Sequence, residues 1–248
     1  MSSEARIDVL GVGVDRCDLS GLLDRVGTLV DRRATATVAY ANVHVLNTAV
    51  EDEALRRFLN GVDLCYCDGG GVVLGARLLG HDLPGRMTGA DWIWDLARVA
   101  EGRWRLFWLG GEPGVTDAAA AKLKERHPTL QVETDHGYHD KEGAGNDALI
   151  ARINAAAPDI VLVGMGTPAQ ERWVATNRHR LDAPVVWVLG ATADFISGKV
   201  SRGPAVLYNN VEWLARLITE PRRLWRRYLI GNTLFLSRVA RQRLSTPR

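Results

Sequence analysis

A carboxylate closes one short apolar run of this chain and three glycines follow it: Leu64-Cys65-Tyr66-Cys67-Asp68-Gly69-Gly70-Gly71. Asp68 would stand exposed at a strand end there, while the glycines let a ligand approach the backbone closely. An Asp in that position also suits the N-cap of a following helix. Three successive glycines exceed what a cap needs, which favours a functional site. Asn42 and His44 project from one face of the segment after an earlier apolar run, Ala36–Ala41. A buried, hydrogen-bonded Asn is the plainer reading of that position. Arg86-Met87-Thr88-Gly89-Ala90-Asp91 opens a helix with Thr88 as candidate N-cap, and Arg86 could clamp a diphosphate through two parallel hydrogen bonds. An exposed Arg with no partner is the alternative.

Two further glycine loops invite phosphate. Gly110-Gly111-Glu112-Pro113-Gly114 joins an apolar run to a good helix, and free amides at a helix N-terminus suit anions. By itself the pattern reads first as a plain strand-to-helix turn with Pro113 near the first helical position. Gly164-Met165-Gly166-Thr167-Pro168-Ala169 has the form G-x-G-x-x-A, with Asp194 near the expected acidic position. It sits late in the chain and Pro168 interrupts it. Behind it, Gln170 and Glu171 put polar groups on a first helical turn, where a solvated turn with Glu171 matched to the helix dipole is the plain alternative.

These loops need a frame, and the chain alternates short apolar runs with helical patterns. Strands are expected at Ile7–Val12, Ala36–Ala41, Leu64–Cys67, Arg105–Leu109, Gln131–Thr134, Ile160–Val163 and Val185–Leu189. Helices are expected near Leu19–Arg32, Glu53–Asn60, Gly71–Leu79, Asp91–Ala100, Val115–His127, Ala148–Ala156 and Ala169–His179. This alternation predicts an α/β fold: a Rossmann-like, largely parallel sheet flanked by helices. In such sheets ligands bind beyond the C-terminal strand ends, where the polar and glycine-rich loops fall. The alternation stops near Ser201–Pro204, which divides the chain into an α/β domain (1–203) and a basic helical C-terminal appendage (204–248).

Composition narrows the classes. The 248 residues are 46% hydrophobic and 24% charged, which suits a packed core and excludes a disordered scaffold. No run reaches the ~18 apolar residues of a membrane span, and the N-terminus lacks the apolar core of a signal peptide. The 3 Cys and 6 His show no metal spacing, so neither a metal nor another cofactor is assigned. Cys65 and Cys67 are expected on opposite sides of one strand, and the chain is read as reduced and cytoplasmic. Charge is unevenly placed. Residues 213–248 hold nine Arg and one acidic residue, Glu220, against a net −6 in the first 212. Arg222/Arg226 and Arg223/Arg227 stand at i, i+4, where like charges repel. With Leu224, Trp225 and Tyr228 interleaved, the segment fits an anionic membrane surface. A helical pair packed on the body with its Arg solvated is the plain alternative.

Together the segments Val62–Val73, Arg86–Asp91, Leu109–Gly114, His136–Tyr138, Gly164–Glu171 and Asp194–Gly198 resemble the bacterial WecG/TagA/CpsF glycosyltransferase family. The closing pattern Glu212-Trp213, Glu220–Leu224 and Trp225–Tyr228 resembles it too, and the likeness runs from Ala39 to Asn232. The resemblance implies inverting transfer of a hexose, N-acetylmannosamine-type or glucose-type, from a UDP-sugar to a polyprenyl-diphosphate-linked sugar. Such enzymes build teichoic acid linkers, common antigen or exopolysaccharide. It implies Asp68 as general base, Asn42 orienting base or sugars, Gln170 on the donor sugar, and Arg86 offsetting charge on the leaving diphosphate. Gly69, Gly110, Gly111, Gly164 and Gly166 become candidate substrate-binding positions, with Tyr138 and Asp194 at the nucleoside end. Arg216, Arg222, Arg223, Arg226 and Arg227 become candidates for membrane or acceptor contact, at the inner face of the cell membrane. Tyr40, where many relatives have Thr, and Thr192-Ala193 depart from the family pattern.

The residues are consistent with that chemistry, since displacement at an anomeric carbon needs a placed base and a stabilised leaving group. Two other classes compete. One is an NAD(P)-dependent oxidoreductase resting on Gly164–Ala169 and Asp194. The other is a non-enzymatic module binding nucleic acid or membrane through the Arg-rich tail; nucleic acid is not expected as a partner, while a homo-oligomer is possible on the exposed aromatic surface.

Overall fold

A computed structural model describes residues 6–200, 225 and 229–245. Strands β3 (Ala36–Ala41), β4 (Leu64–Cys67), β5 (Arg105–Gly110), β6 (Gln131–Asp135), β7 (Ile160–Gly164) and β8 (Val185–Val188) form one sheet in the order β4-β3-β8-β7-β5-β6. Every pairing within it is parallel. Strands covered on both faces carry continuous apolar sequence, and β3, β4, β7 and β8 do so with nearly every side chain buried.

The helices are α1 (Leu19–Asp31), α2 (Val43–Glu51), α3 (Glu53–Gly61), α4 (Gly70–Leu78), α5 (Gly89–Ala100), α6 (Val115–Arg126), α7 (Gly143–Ala155), α8 (Ala169–Asn177), α9 (Thr192–Ser197) and α10 (Gly231–Ser245). Right-handed crossovers place α5 and α6 on one face and α2, α3, α7 and α8 on the other. The contacts agree: α9 packs on α5 and α6, while α3 packs on α8. Asn146 of α7 bridges Trp173 Nε1 (2.8 Å) and Asn177 (2.9 Å) of α8 inside the second layer.

One expected strand divides in two. Ile7–Val9 (β1) and Val12–Val14 (β2) pair antiparallel as a hairpin outside the main sheet. Its two-residue turn has Leu10 and Gly11 both at positive φ, +56° and +81°, as hairpin twist requires. The hairpin leads to the β4 edge, where Asp15 accepts from the Cys65 amide (2.7 Å) and pairs with Arg6 (3.0 Å) and Arg25 (2.8 Å). The two cysteines of β4 do not face opposite sides. Residues i and i+2 of a strand share a face, and Cys17 lies near both thiols. All three are buried and free. Burial, ahead of the Asp15 charge, pushes the Cys65 thiol up to about 12, so it stays protonated.

Two packing features position the site. Trp92 of α5 stacks on Trp187 of β8 with ring centroids 4.2 Å apart, and Tyr66 of β4 meets both edge-on. This anchors α5, and the Met87 amide just before it bonds the Cys67 carbonyl (2.9 Å), bringing Arg86 to the end of β4. At the other end of the chain, α10 packs on α2 and α4 with Phe235 and Val239 buried. Gly75 leaves room for the Phe235 ring, and Arg238 bonds Asn47 (3.0 and 3.1 Å) and Glu51 (2.5 Å). No helix among the described residues is long and apolar enough to cross a membrane.

Candidate active site

Asn42 and Asp68 meet. Asn42 follows β3 without a loop and caps α2: its Oδ1 accepts from the Val45 amide (3.0 Å). That bond turns the Nδ2 outward, where it donates to Asp68 Oδ2 (3.1 Å). The Asp68 amide in turn bonds the Ala41 carbonyl (2.8 Å), continuing the β3–β4 ladder by one residue. Asp68 therefore does not cap α4; Gly69 occupies that position. The result is a half-buried carboxylate whose Oδ2 is held by Asn42, at the C-terminal end of a parallel sheet.

The glycines after Asp68 have three different reasons. Gly69 sits at φ +104°, a backbone state that side chains resist. A Cβ on Gly71 would come 2.5 Å from Val43 Cγ2, so helix packing demands it. Gly70 faces open space. Arg86, also at this strand end, donates to Thr88 Oγ1 (2.8 Å) and lies 3.9 Å from Asp91. The Thr88 hydroxyl thus holds Arg86, and it makes no capping bond although the residue occupies the N-cap position of α5.

Beneath the loop after β7 lies a closed polar ring. Gln170 is fully buried; its Oε1 accepts from the Gly190 amide (3.1 Å), and its Nε2 donates to Tyr40 OH (3.3 Å) and Glu171 Oε1 (2.8 Å). Tyr40 OH lies 3.4 Å from Thr167 Oγ1, which donates to Glu171 Oε1 (2.8 Å). Burial, then the Glu171 charge, drives the Tyr40 hydroxyl well above the usual tyrosine range, so it stays protonated. Burial also raises the Glu171 carboxyl, against the opposing hydrogen bonds from Gln170 and Thr167, and its Oε2 is enclosed with no partner. The side chain expected on the donor sugar is thus enclosed, and it ties the ends of β3, β7 and β8 together.

The other half of the edge is made of backbone. A Cβ on Gly110 would fall on the Gly164 carbonyl, and one on Gly164 would fall on the Gly190 carbonyl. The Gly111 amide bonds Gly164 O (3.2 Å), and the Gly137 amide bonds Gly111 O (2.8 Å). The chain leaves β5 towards β6 and leaves β7 towards β8, in opposite directions. Gly110 and Gly164 therefore flank a topological switch point, where open α/β sheets take ligands. Gly166, at φ +79°, opens the loop beside it.

Tyr138, 70% exposed, and Asp194 gather on the rim of this half around Lys199. The lysine pairs with Glu112 (2.6 Å) and Asp194 (3.7 Å), which hold its ammonium above the usual lysine range. Outside the rim, a cavity of about 450 Å³ opens between the α6 N-terminus and β6, reached by Asp135, His136 and Arg152. Asp135, His136 and His139 lie close enough to suggest a metal site. The imidazoles stack face to face, with centroids 4.1 Å apart and planes 11° apart, so their in-plane lone pairs do not converge on one ion. Arg152 already neutralises Asp135 at 2.7 Å. No metal is assigned to it.

The chain matches the Glycosyl transferase WecG/TagA/CpsF family over residues 7–248. It belongs to that family. Two similar proteins, from Staphylococcus aureus strains NCTC 8325 / PS 47 and MRSA252, are each named N-acetylglucosaminyldiphosphoundecaprenol N-acetyl-beta-D-mannosaminyltransferase. Each is 27% identical over 244 residues, covering 97% of this chain and 94% of the relative. As a WecG/TagA/CpsF glycosyltransferase the chain is a hexosyltransferase, and the oxidoreductase reading falls away. Its physical basis was thin: Pro168 interrupts the glycine loop, and Asp194 is on α9, paired with Lys199. Arg216, Arg222, Arg223, Arg226 and Arg227 lie outside the described residues. The sequence patterns did not join Tyr40 and Thr167 to Gln170 and Glu171; the contact between Tyr40 and Gln170, 130 positions apart, reveals that ring.

Proposed function

We propose that this chain moves a hexose of the N-acetylmannosamine or glucose type from a UDP-sugar to a polyprenyl-diphosphate-linked sugar, with inversion, in bacterial cell-surface polysaccharide synthesis. The observation that carries it is the Asn42–Asp68 hydrogen bond (3.1 Å) at the strand ends of a family glycosyltransferase. Asp68 takes the proton of the acceptor hydroxyl as its oxygen bonds the anomeric carbon. The bond from that carbon to the diphosphate breaks, and UDP leaves with the electron pair. Asn42 holds Asp68 Oδ2 and orients the carboxylate towards the acceptor. Arg86 offsets the charge growing on the diphosphate. Gln170 acts through its neighbours, fixing the loops that carry Gly166 and Gly190. Tyr138 and Asp194 serve the nucleoside, and the donor lies along the backbone at Gly69, Gly110, Gly111 and Gly164.

Residues 204–248 serve in this reading as a docking appendage, with Arg216, Arg222, Arg223, Arg226 and Arg227 on anionic headgroups or the acceptor diphosphate. The enzyme then works peripherally on the inner face of the cell membrane. The charge contrast between tail and body supports this. The relatives' names, with an acceptor on diphosphoundecaprenol, support a lipid-borne substrate. The experiment is transfer from a panel of UDP-sugars to a short polyprenyl-diphosphate-N-acetylglucosamine analogue. Product with one donor is expected; no product and no UDP binding would overturn the reading. For the appendage, replacing Arg222, Arg223, Arg226 and Arg227 together by Gln should release the protein from anionic vesicles. Unchanged vesicle binding and transfer would refute that role.

A further inference from the structure

We propose that Lys141 is a donor-diphosphate ligand, delivered to the β5/β7 crevice by the loop between β6 and α7. The inference rests on the reading above and adds a residue to it. From that loop the side chain folds back over the sheet end, so that Nζ lies 2.6 Å from Gly137 O and 2.9 Å from Met165 Sδ. Those two atoms belong to the loops that wall the switch point. Gly137 packs so closely on Gly110 that an added Cβ would come 3.2 Å from its Cα and 3.0 Å from Met165 Cγ. The ammonium thus stands over the junction of Gly110, Gly137 and Met165.

Its partners set it apart from the other cations of the sheet edge among the described residues. Lys199 holds two carboxylates, Arg152 holds Asp135, and Arg86 lies near Asp91. Lys141 rests on a carbonyl and a thioether, both neutral, and a thioether is a weak acceptor. An ammonium has three donors, so at least one is free for an anion, and the sulfur contact yields at little cost. Partial burial without a counter-charge lowers its proton affinity from the usual lysine range. An incoming diphosphate would supply that counter-charge, as charge-assisted hydrogen bonds to an ammonium do.

The test is titration of the full-length chain with UDP and with uridine, which lacks the phosphates, using wild type, Lys141→Ala and Lys141→Arg. The Ala variant is expected to bind UDP about tenfold or more weakly, the loss of a charged hydrogen bond. Uridine binding should be unchanged, and Lys141→Arg should recover most of the UDP affinity. Wild-type affinity for UDP in Lys141→Ala overturns the inference and leaves the proposed function standing. An equal loss for UDP and uridine also overturns it, because the effect then lies in the nucleoside pocket. If wild type binds neither compound, the UDP-donor reading itself fails and Lys141 falls with it.

Discussion

The two halves of the sheet's C-terminal edge are built from different materials. At β3 and β4 the site is made of side chains holding side chains: Val45 fixes Asn42, and Asn42 fixes Asp68. At β5 and β7 it is made of main chain pressed on main chain, with Gly110 on Gly164 and Gly164 on Gly190. Proton transfer needs one titratable atom aimed within hydrogen-bond reach, and a chain of side-chain bonds supplies that aim. In the proposed function the second half holds the donor against this main-chain wall, with the Lys141 side chain above it. The sharpest way to break this division is Asp68→Asn. Transfer should fall by about 10²-fold or more, while Tm and UDP affinity stay close to wild type, since the proposed mechanism gives Asp68 no contact with the donor. Retained turnover in that variant would remove Asp68 from the chemistry.

The glycine half should respond in the opposite sense. Gly110→Ala drives a methyl group onto a main-chain carbonyl that cannot rotate away, which should cost about 1–3 kcal/mol of stability, read as a lower Tm. Gly70→Ala is the internal control, because its Cβ meets nothing and helix α4 gains a better former. It should be neutral or stabilise by up to about 1 kcal/mol. Equal effects at the two positions would mean that glycine is used here for chain freedom and not for close approach.

Asn42 caps α2 and, in the proposed mechanism, orients the base; two substitutions pull these apart. Asn42→Ala should cost about 1 kcal/mol through the lost cap and also lower kcat. Asn42→Ser keeps a capping oxygen but is too short to reach Asp68 as Nδ2 does. It should restore Tm without restoring kcat. Recovery of both would assign Asn42 to helix stability alone.

Much of this frame could be read from residue patterns. Ala36–Ala41 and Leu64–Cys67 are apolar runs closed by polar residues, and both fold as strands with those bounds. The hairpin was hidden because its turn lies within Val9-Leu10-Gly11-Val12, where one Leu takes a positive φ inside an apolar run. Helix α2 was missed because Asn42 ends the strand and caps the helix in a single residue, leaving no loop to mark the change. Asp68 and Asn42 stood out as polar groups at strand ends. The enclosure of Gln170 did not, since a polar first helical turn reads as solvated until Tyr40, 130 positions away, is brought against it.

The buried ring offers the finest test of the side-chain half. Glu171 is enclosed by Thr167 and Gln170, and burial lifts its carboxyl above the ordinary glutamate value of 4.5. A raised value in the folded state means the fold favours the protonated acid. That stability is fully present below 4.5 and is lost as pH climbs through the raised value. Glu171→Gln keeps a neutral acceptor towards Thr167 at every pH. It should match wild type in Tm near pH 4 and exceed it increasingly towards neutrality. The gain should stay below about 1 kcal/mol, because the bonds to Oε1 already offset part of the burial cost. A gap that does not widen with pH would mean the carboxyl gains solvent or a cation in solution. In that case the ring opens in solution, and the contrast between the two halves would have to be redrawn.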